Sequence, residues 1–149
     1  MSTEINTEIV IFDIDGTLAD ISQRRYHLEK YPQDWDAFFQ DMKQDKAIVP
    51  MVRLCNTLYQ AGFKIVLCTG RPAKYQSETI AWLANYGVKY HKLFLRADGD
   101  RRSDAVIKRE MLAKLDRAAI AFVVEDRSRT VDMWRSEGLI CLQCAPGDF

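Results

Sequence analysis

The stretch Ile9-Val10-Ile11-Phe12-Asp13-Ile14-Asp15-Gly16-Thr17-Leu18 opens on an unbroken Ile/Val/Phe run, then sets two acids two residues apart before a glycine and a threonine. The run reads as a strand buried on both faces, as in a parallel sheet. In extended chain Asp13 and Asp15 point the same way. Two like charges that close are costly unless something neutralises them. A divalent cation does so, and magnesium suits a few carboxylates plus a substrate phosphate. Gly16 allows a sharp turn. Asp-Gly can equally close a hairpin or open a solvated loop. A calcium loop is excluded: an EF-hand counted from Asp13 needs Gly sixth and Glu twelfth, and those places hold Leu18 and Arg24.

Working outward, four more apolar runs are spaced along the chain: Lys64 to Cys68, Leu93 to Leu95, Ile120 to Val124 and Leu139 to Cys144. Helical spacing separates most of them. It is carried by Val49, Val52, Leu54, Leu58 and Tyr59, then Ile80, Leu83 and Ala84. Further on it is carried by Val106, Ile107, Met111, Leu112 and Leu115, then Val131 and Trp134. Gly62, Gly87 and Gly138 fall where these helices should end. The alternation predicts one α/β domain over residues 1–149, a Rossmann-like three-layer sandwich with a mostly parallel sheet. In such sheets ligands bind beyond the carboxyl ends of the strands.

What stands at those ends is chemically specific. The second run leads into Thr69-Gly70-Arg71, where a hydroxyl, backbone amides and a guanidinium fork can all bind phosphate; a turn capped by Thr69 is the competing reading. Asp104 reads as an N-cap or first-turn helix residue. Lys108 lies one turn on, either as a positive charge for a transferring phosphoryl group or as half of a surface ion pair. The run to Val124 ends in Glu125-Asp126, which can complete a metal site with Asp13 and Asp15 or cap the following helix.

Bulk properties remove other classes. Lys plus Arg and Asp plus Glu balance at 21 each, so a polyanionic partner must be attracted locally. The start, MSTEINTE, lacks the basic and apolar regions of a signal peptide, and no run is long enough to span a bilayer; a cytoplasmic protein is expected. Of the four cysteines, Cys141 and Cys144 form a C-x-x-C without the second pair that structural zinc needs. Buried thiols are expected instead. A cysteine phosphatase needs C-x5-R, but Ala61 and Lys74 stand in the arginine position after Cys55 and Cys68. His27 and His91 show no mutual metal spacing.

The order of these motifs resembles the haloacid dehalogenase-like phosphohydrolases. The stretches DIDGTLAD, CTGRP, SDAVIKREM, VEDRSRTVDMWRSEGL and APGDF resemble more closely the 3′-phosphatase domain of bacteriophage polynucleotide kinase. The resemblance implies Asp13 as nucleophile, Asp15 as general acid/base and Lys108 as the third catalytic group. It implies magnesium held by Asp13, the Asp15 main-chain carbonyl, Glu125 and Asp126. It implies a phosphate- and substrate-binding set of Thr17, Arg24, Thr69, Gly70, Arg71 and Asp104. The family usually has Asp where Glu125 stands, which leaves the role of Glu125 open. No G-x-x-x-x-G-K-[ST] occurs, so no kinase activity is expected.

Residues 19–46 lie where this family often inserts a cap. Here the segment is too short for a substantial one, with a single amphipathic piece at Trp35, Phe38, Phe39 and Met42. An open site admits a large substrate, and Arg24, Arg25, Arg96, Arg101 and Arg102 are candidates to meet phosphates at its mouth. A solvated basic surface is the alternative. Three functions follow: a phosphatase of 3′-phosphorylated DNA or RNA ends, a phosphatase of free nucleotides or other small esters, and a non-catalytic domain that binds such ends.

Overall fold

The computed structural model describes residues 8–149, so all but the last residue of the MSTEINTE stretch lies outside the described residues. Five strands form one sheet: β1 (Ile9–Phe12), β4 (Lys64–Pro72), β5 (Lys92–Arg96), β6 (Ile120–Glu125) and β7 (Cys141–Gln143). Their order is β5-β4-β1-β6-β7. Every pairing is parallel. The sheet is thus fully parallel, as crossover helices between successive strands require.

Period-two alternation sends the side chains of β1 to two cores. Val10 and Phe12 pack with Val52 and Cys55 of α3 (Val49–Gln60) and Trp82 and Leu83 of α4 (Gln76–Asn85). Ile9 and Ile11 pack with Ile107 and Met111 of α5 (Asp104–Leu112) and Val131 and Trp134 of α6 (Ser128–Ser136). These are the three expected layers. Gly62, Gly87 and Gly138 follow α3, α4 and α6 with positive φ. Three details differ from the sequence reading. In α3, Val49 and Leu54 are exposed and the buried face is Val52 and Cys55. The buried stripe of α4 is Thr79, Trp82 and Leu83, with Ile80 exposed. Strand β4 runs on through Thr69, Gly70 and Arg71, with a break in register against β5 between Cys68 and Pro72.

The cap is small. Strands β2 (Ala19–Asp20) and β3 (Lys46–Ala47) pair antiparallel and frame helices α1 (Tyr26–Glu29) and α2 (Trp35–Gln40) and a 3-10 turn at Asp41–Gln44. Its own core is Ile21, Leu28, Phe38, Phe39 and Met42, with Tyr75 and Phe149 packed against it. Trp35 stays 36% exposed, while the other three residues of the amphipathic piece are buried. Among the described residues no helix is long and apolar enough to cross a membrane.

Candidate active site

The chain reverses direction across the sheet at β1, whose neighbours are β4 on one side and β6 on the other. The carboxyl ends of these three strands meet under a crevice of about 820 Å³. Asp13, Asp15, Gly70, Asp104, Glu125 and Asp126 line its inner part, with Trp35, Phe38 and Phe39 on the cap side. Asp13, Glu125 and Asp126 offer carboxylate oxygens that all lie within 4.8 Å of one another.

Lys108 is the hub beneath them. It is 1% exposed, and its Nζ donates to Asp13 Oδ1 at 2.8 Å and Glu125 Oε1 at 2.7 Å and lies 3.1 Å from Asp104 Oδ2. Burial alone would lower its pKa, but the charges of Asp104, Asp13 and Glu125 hold it well above the ordinary lysine value. The surface ion-pair reading of Asp104 and Lys108 is therefore replaced by a buried one. Asp104 is the first residue of α5, behind the N-cap Ser103. It also accepts from Thr130 Oγ1 at 3.1 Å.

Burial and the Asp13 charge push Glu125 and Asp126 up against the pull of Lys108. One ammonium is too little charge for this many carboxylates. A hard divalent cation with a preference for oxygen matches both the donor set and the surplus negative charge. The residues present therefore fit magnesium. Glu125 differs from the other two acids. Its Oε1 accepts from Lys108 and, at 3.4 Å, from Trp134 Nε1, while its Oε2 accepts from the main-chain N–H of Asp126 at 3.1 Å. The extra methylene of Glu over Asp lets this carboxylate brace Lys108 and the following turn. Asp13 and Asp126 keep freer lone pairs. Gly16, at φ 85°, lies so close to Asp126 that any Cβ there would overlap its carboxylate.

Several predicted phosphate ligands turn out to hold other side chains. Thr17 is fully buried and donates to Asp13 Oδ2 at 3.1 Å, so it orients the expected nucleophile. Thr69 accepts from the Arg71 N–H at 3.2 Å, which is the turn-cap reading. Arg24 and Arg71 are fully buried and converge on Asp15. Arg71 gives it a fork (Nε at 3.1 Å and Nη2 at 2.7 Å), and Arg24 Nη2 reaches it at 2.6 Å. Burial would raise the Asp15 pKa, but these two guanidiniums hold it well below the usual carboxylate range. Both arginines thus serve an acid rather than the open crevice, because an ionised carboxylate leaving water needs charged donors. Gly70 does line the crevice, and a Cβ there would collide with Asp104.

At the rim, Arg25 stacks 4.5 Å over Phe149. Arg96 donates to the carbonyls of Gly70, Asp100 and Arg102, and Arg102 forks to Asp100 and Glu110. Of the five candidate arginines only Arg101 lines the crevice with no side-chain partner among the described residues. Arg129 shares that condition, and the sequence reading missed it because it lies inside a helix pattern. Asp45 was missed as well; it is buried and joined to Arg24. All four thiols are free. Burial pushes Cys55, Cys68 and Cys141 up to about 12, which leaves them inert.

Comparison with known proteins agrees with this geometry. The sequence model of the family described as the polynucleotide kinase PNKP phosphatase domain matches residues 7–149. A chain in the structure of the Pnkp1/Rnl/Hen1 RNA repair complex superposes with a TM-score of 0.82 at 30% identity, covering 100% of this chain and 46% of that one. Acid phosphatase 1 of Solanum lycopersicum is 32% identical over 66% of this chain and 40% of its own length. The class C acid phosphatase of Bacillus anthracis shares the fold at a TM-score of 0.64 and 15% identity. The chain spans less than half the length of the first two relatives. Since the family match runs over nearly the whole sequence, the chain belongs to the PNKP phosphatase domain family of haloacid dehalogenase-like hydrolases.

Proposed function

We propose that the protein hydrolyses phosphate monoesters through an aspartyl-phosphate on Asp13, and that its substrates are 3′-phosphorylated nucleic-acid ends. The observation that carries the chemistry is the buried cluster of Asp13, Glu125 and Asp126 around Lys108 at the floor of an open crevice. Magnesium held by Asp13 and Asp126 would offset the repulsion between a carboxylate and a dianionic phosphate.

The chain's own residues do the rest. Thr17 and Lys108 each bond one oxygen of Asp13 and so fix its direction of attack. An Asp13 oxygen forms a bond to phosphorus, the ester P–O bond breaks, and protonated Asp15 gives its proton to the departing oxygen. Water then attacks phosphorus and Asp15 takes its proton. The P–O bond to Asp13 breaks, releasing inorganic phosphate and the free carboxylate. Asp15 rests ionised between its arginines. An entering phosphate dianion favours its protonated form for the first half.

The substrate reading rests on the shallow cap and on two unpaired arginines, Arg101 and Arg129, along the crevice. Phosphate release from a 3′-phosphorylated oligonucleotide should exceed release from mononucleotides and be lost in Asp13→Asn. Rapid turnover of mononucleotides with no action on the oligonucleotide favours the small-ester reading. Full activity of Asp13→Asn, checked for deamidation, refutes the covalent mechanism.

A further inference from the structure

We propose that Asp45 is a positioning residue that sets the general acid Asp15 through Arg24; the inference rests on the acid role proposed above. Asp45 is 1% exposed and sits outside the crevice, at the end of the cap. Arg24 gives it the larger share of its guanidinium: Nε to Oδ1 at 2.9 Å and Nη2 to Oδ2 at 2.7 Å. Such a fork fixes the guanidinium plane as well as its position. With that plane set, the second hydrogen on Nη2 is directed at Asp15 Oδ1, 2.6 Å away. The remaining donor, Nη1, is held by the Phe38 carbonyl at 3.0 Å, and the guanidinium lies 4.1 Å over the Phe38 ring.

Asp45 is itself anchored by the core. Its main-chain carbonyl accepts from Trp82 Nε1 at 2.9 Å and Tyr86 Oη at 3.2 Å, and Gln23 Nε2 donates to its side chain at 2.9 Å. Trp82 lies on α4, which packs on the sheet. A continuous path therefore runs from the sheet through Trp82, Asp45 and Arg24 to Asp15. Charge makes the arrangement self-consistent. Arg24 and Arg71 both point at Asp15, and their mutual repulsion is offset by Asp45, which lies 3.8 Å from Arg71 Nη2. Without the Asp45 charge, two buried guanidiniums would share one carboxylate, and the one that has lost its fork is the one to leave.

Sensitivity to the leaving group tests this. p-Nitrophenolate departs without help, whereas an alkoxide needs the acid's proton. The measured quantity is the ratio of kcat/KM on p-nitrophenyl phosphate to kcat/KM on a nucleoside 3′-monophosphate, which reads the steps up to departure of the leaving group and leaves out the hydrolysis of the intermediate that Asp15 also assists. The ratio does not depend on how much of a variant is folded. Asp15→Asn should raise it strongly, and Asp45→Asn should raise it at least about tenfold, part of the range general acids supply. Asp45→Glu keeps the charge and displaces the carboxylate; it should move the ratio the same way and carries the test if Asp45→Asn does not fold. Wild-type ratios in both Asp45 variants, beside a raised ratio in Asp15→Asn, overturn the positioning role. A wild-type ratio in Asp15→Asn removes the acid assignment and the inference with it.

Discussion

Two guanidiniums converge on Asp15, and the consequence is measurable in stability as well as turnover. Its pKa in the folded protein lies below the unfolded value of 3.8. The ionised group therefore adds stability that is fully present above that value and is lost progressively as pH falls from it down through the lower pKa of the folded protein. Asp15→Asn lacks this contribution at every pH. The gap in Tm between wild type and Asp15→Asn should be widest near neutrality and should narrow below about pH 4; a gap independent of pH in thermal melts would contradict the assignment. At this scale the sequence showed which side chains meet better than whom they hold. The convergence of Asp13, Asp15 and Asp126 above Lys108 was legible because β1 and β6 end in these acids and Lys108 lies one turn into the helix that Asp104 opens. The partners of Arg24, Arg71 and Thr17 were not, since the turn after β1 and the fold of the cap decide them. Asp45 was invisible because a lone acid before Lys46 carries no periodic signal.

The strands and long helices were legible because β1, β6 and the first part of β4 up to Cys68 are nearly pure apolar runs and α3, α5 and α6 keep a buried stripe. Of the cap, the small size and the amphipathic piece from Trp35 to Met42 were legible, whereas α1 was not, because a helix of four residues is too short to show a period. The segment after β7 is a second element that sequence alone did not place. It folds back along the end of β6: Cys144 N–H donates to the Glu125 carbonyl, Ser128 N–H donates to the Gly147 carbonyl, and Gln143 Nε2 donates to the Asp126 carbonyl. Gly147 lies so close to the main chain of Asp126 and Arg127 that a Cβ would overlap it. Backbone cannot yield as a flexible side chain can. Gly147→Ala should therefore displace Asp126, weaken magnesium activation and lower kcat by at least about tenfold, since small misplacements at a reacting centre are costly. A magnesium titration of activity checks this, and an unchanged half-saturating concentration would argue against it.

For the whole molecule, charges of 21 and 21 leave no net field to steer a polyanion. Attraction has to come from the crevice, where Arg101 and Arg129 line the wall without a side-chain partner among the described residues. The value of kcat/KM on a 3′-phosphorylated oligonucleotide should fall with salt. In Arg101→Ala and Arg129→Ala the log–log slope should flatten by about 0.7 for each charge removed, the value for single strands. Slopes identical to wild type would show that the strand takes another path.

The central place of β1 has one more outcome. Asp13, the proposed nucleophile, comes from the first part of the chain, while Lys108, Glu125 and Asp126 come from the last, and the exposed turn at Gly99 lies between them. A chain divided at that turn would leave each piece with an incomplete set of catalytic groups. Released phosphate would then report on two halves finding each other, so the enzyme could be rebuilt as a sensor of the proximity of whatever proteins the halves are fused to.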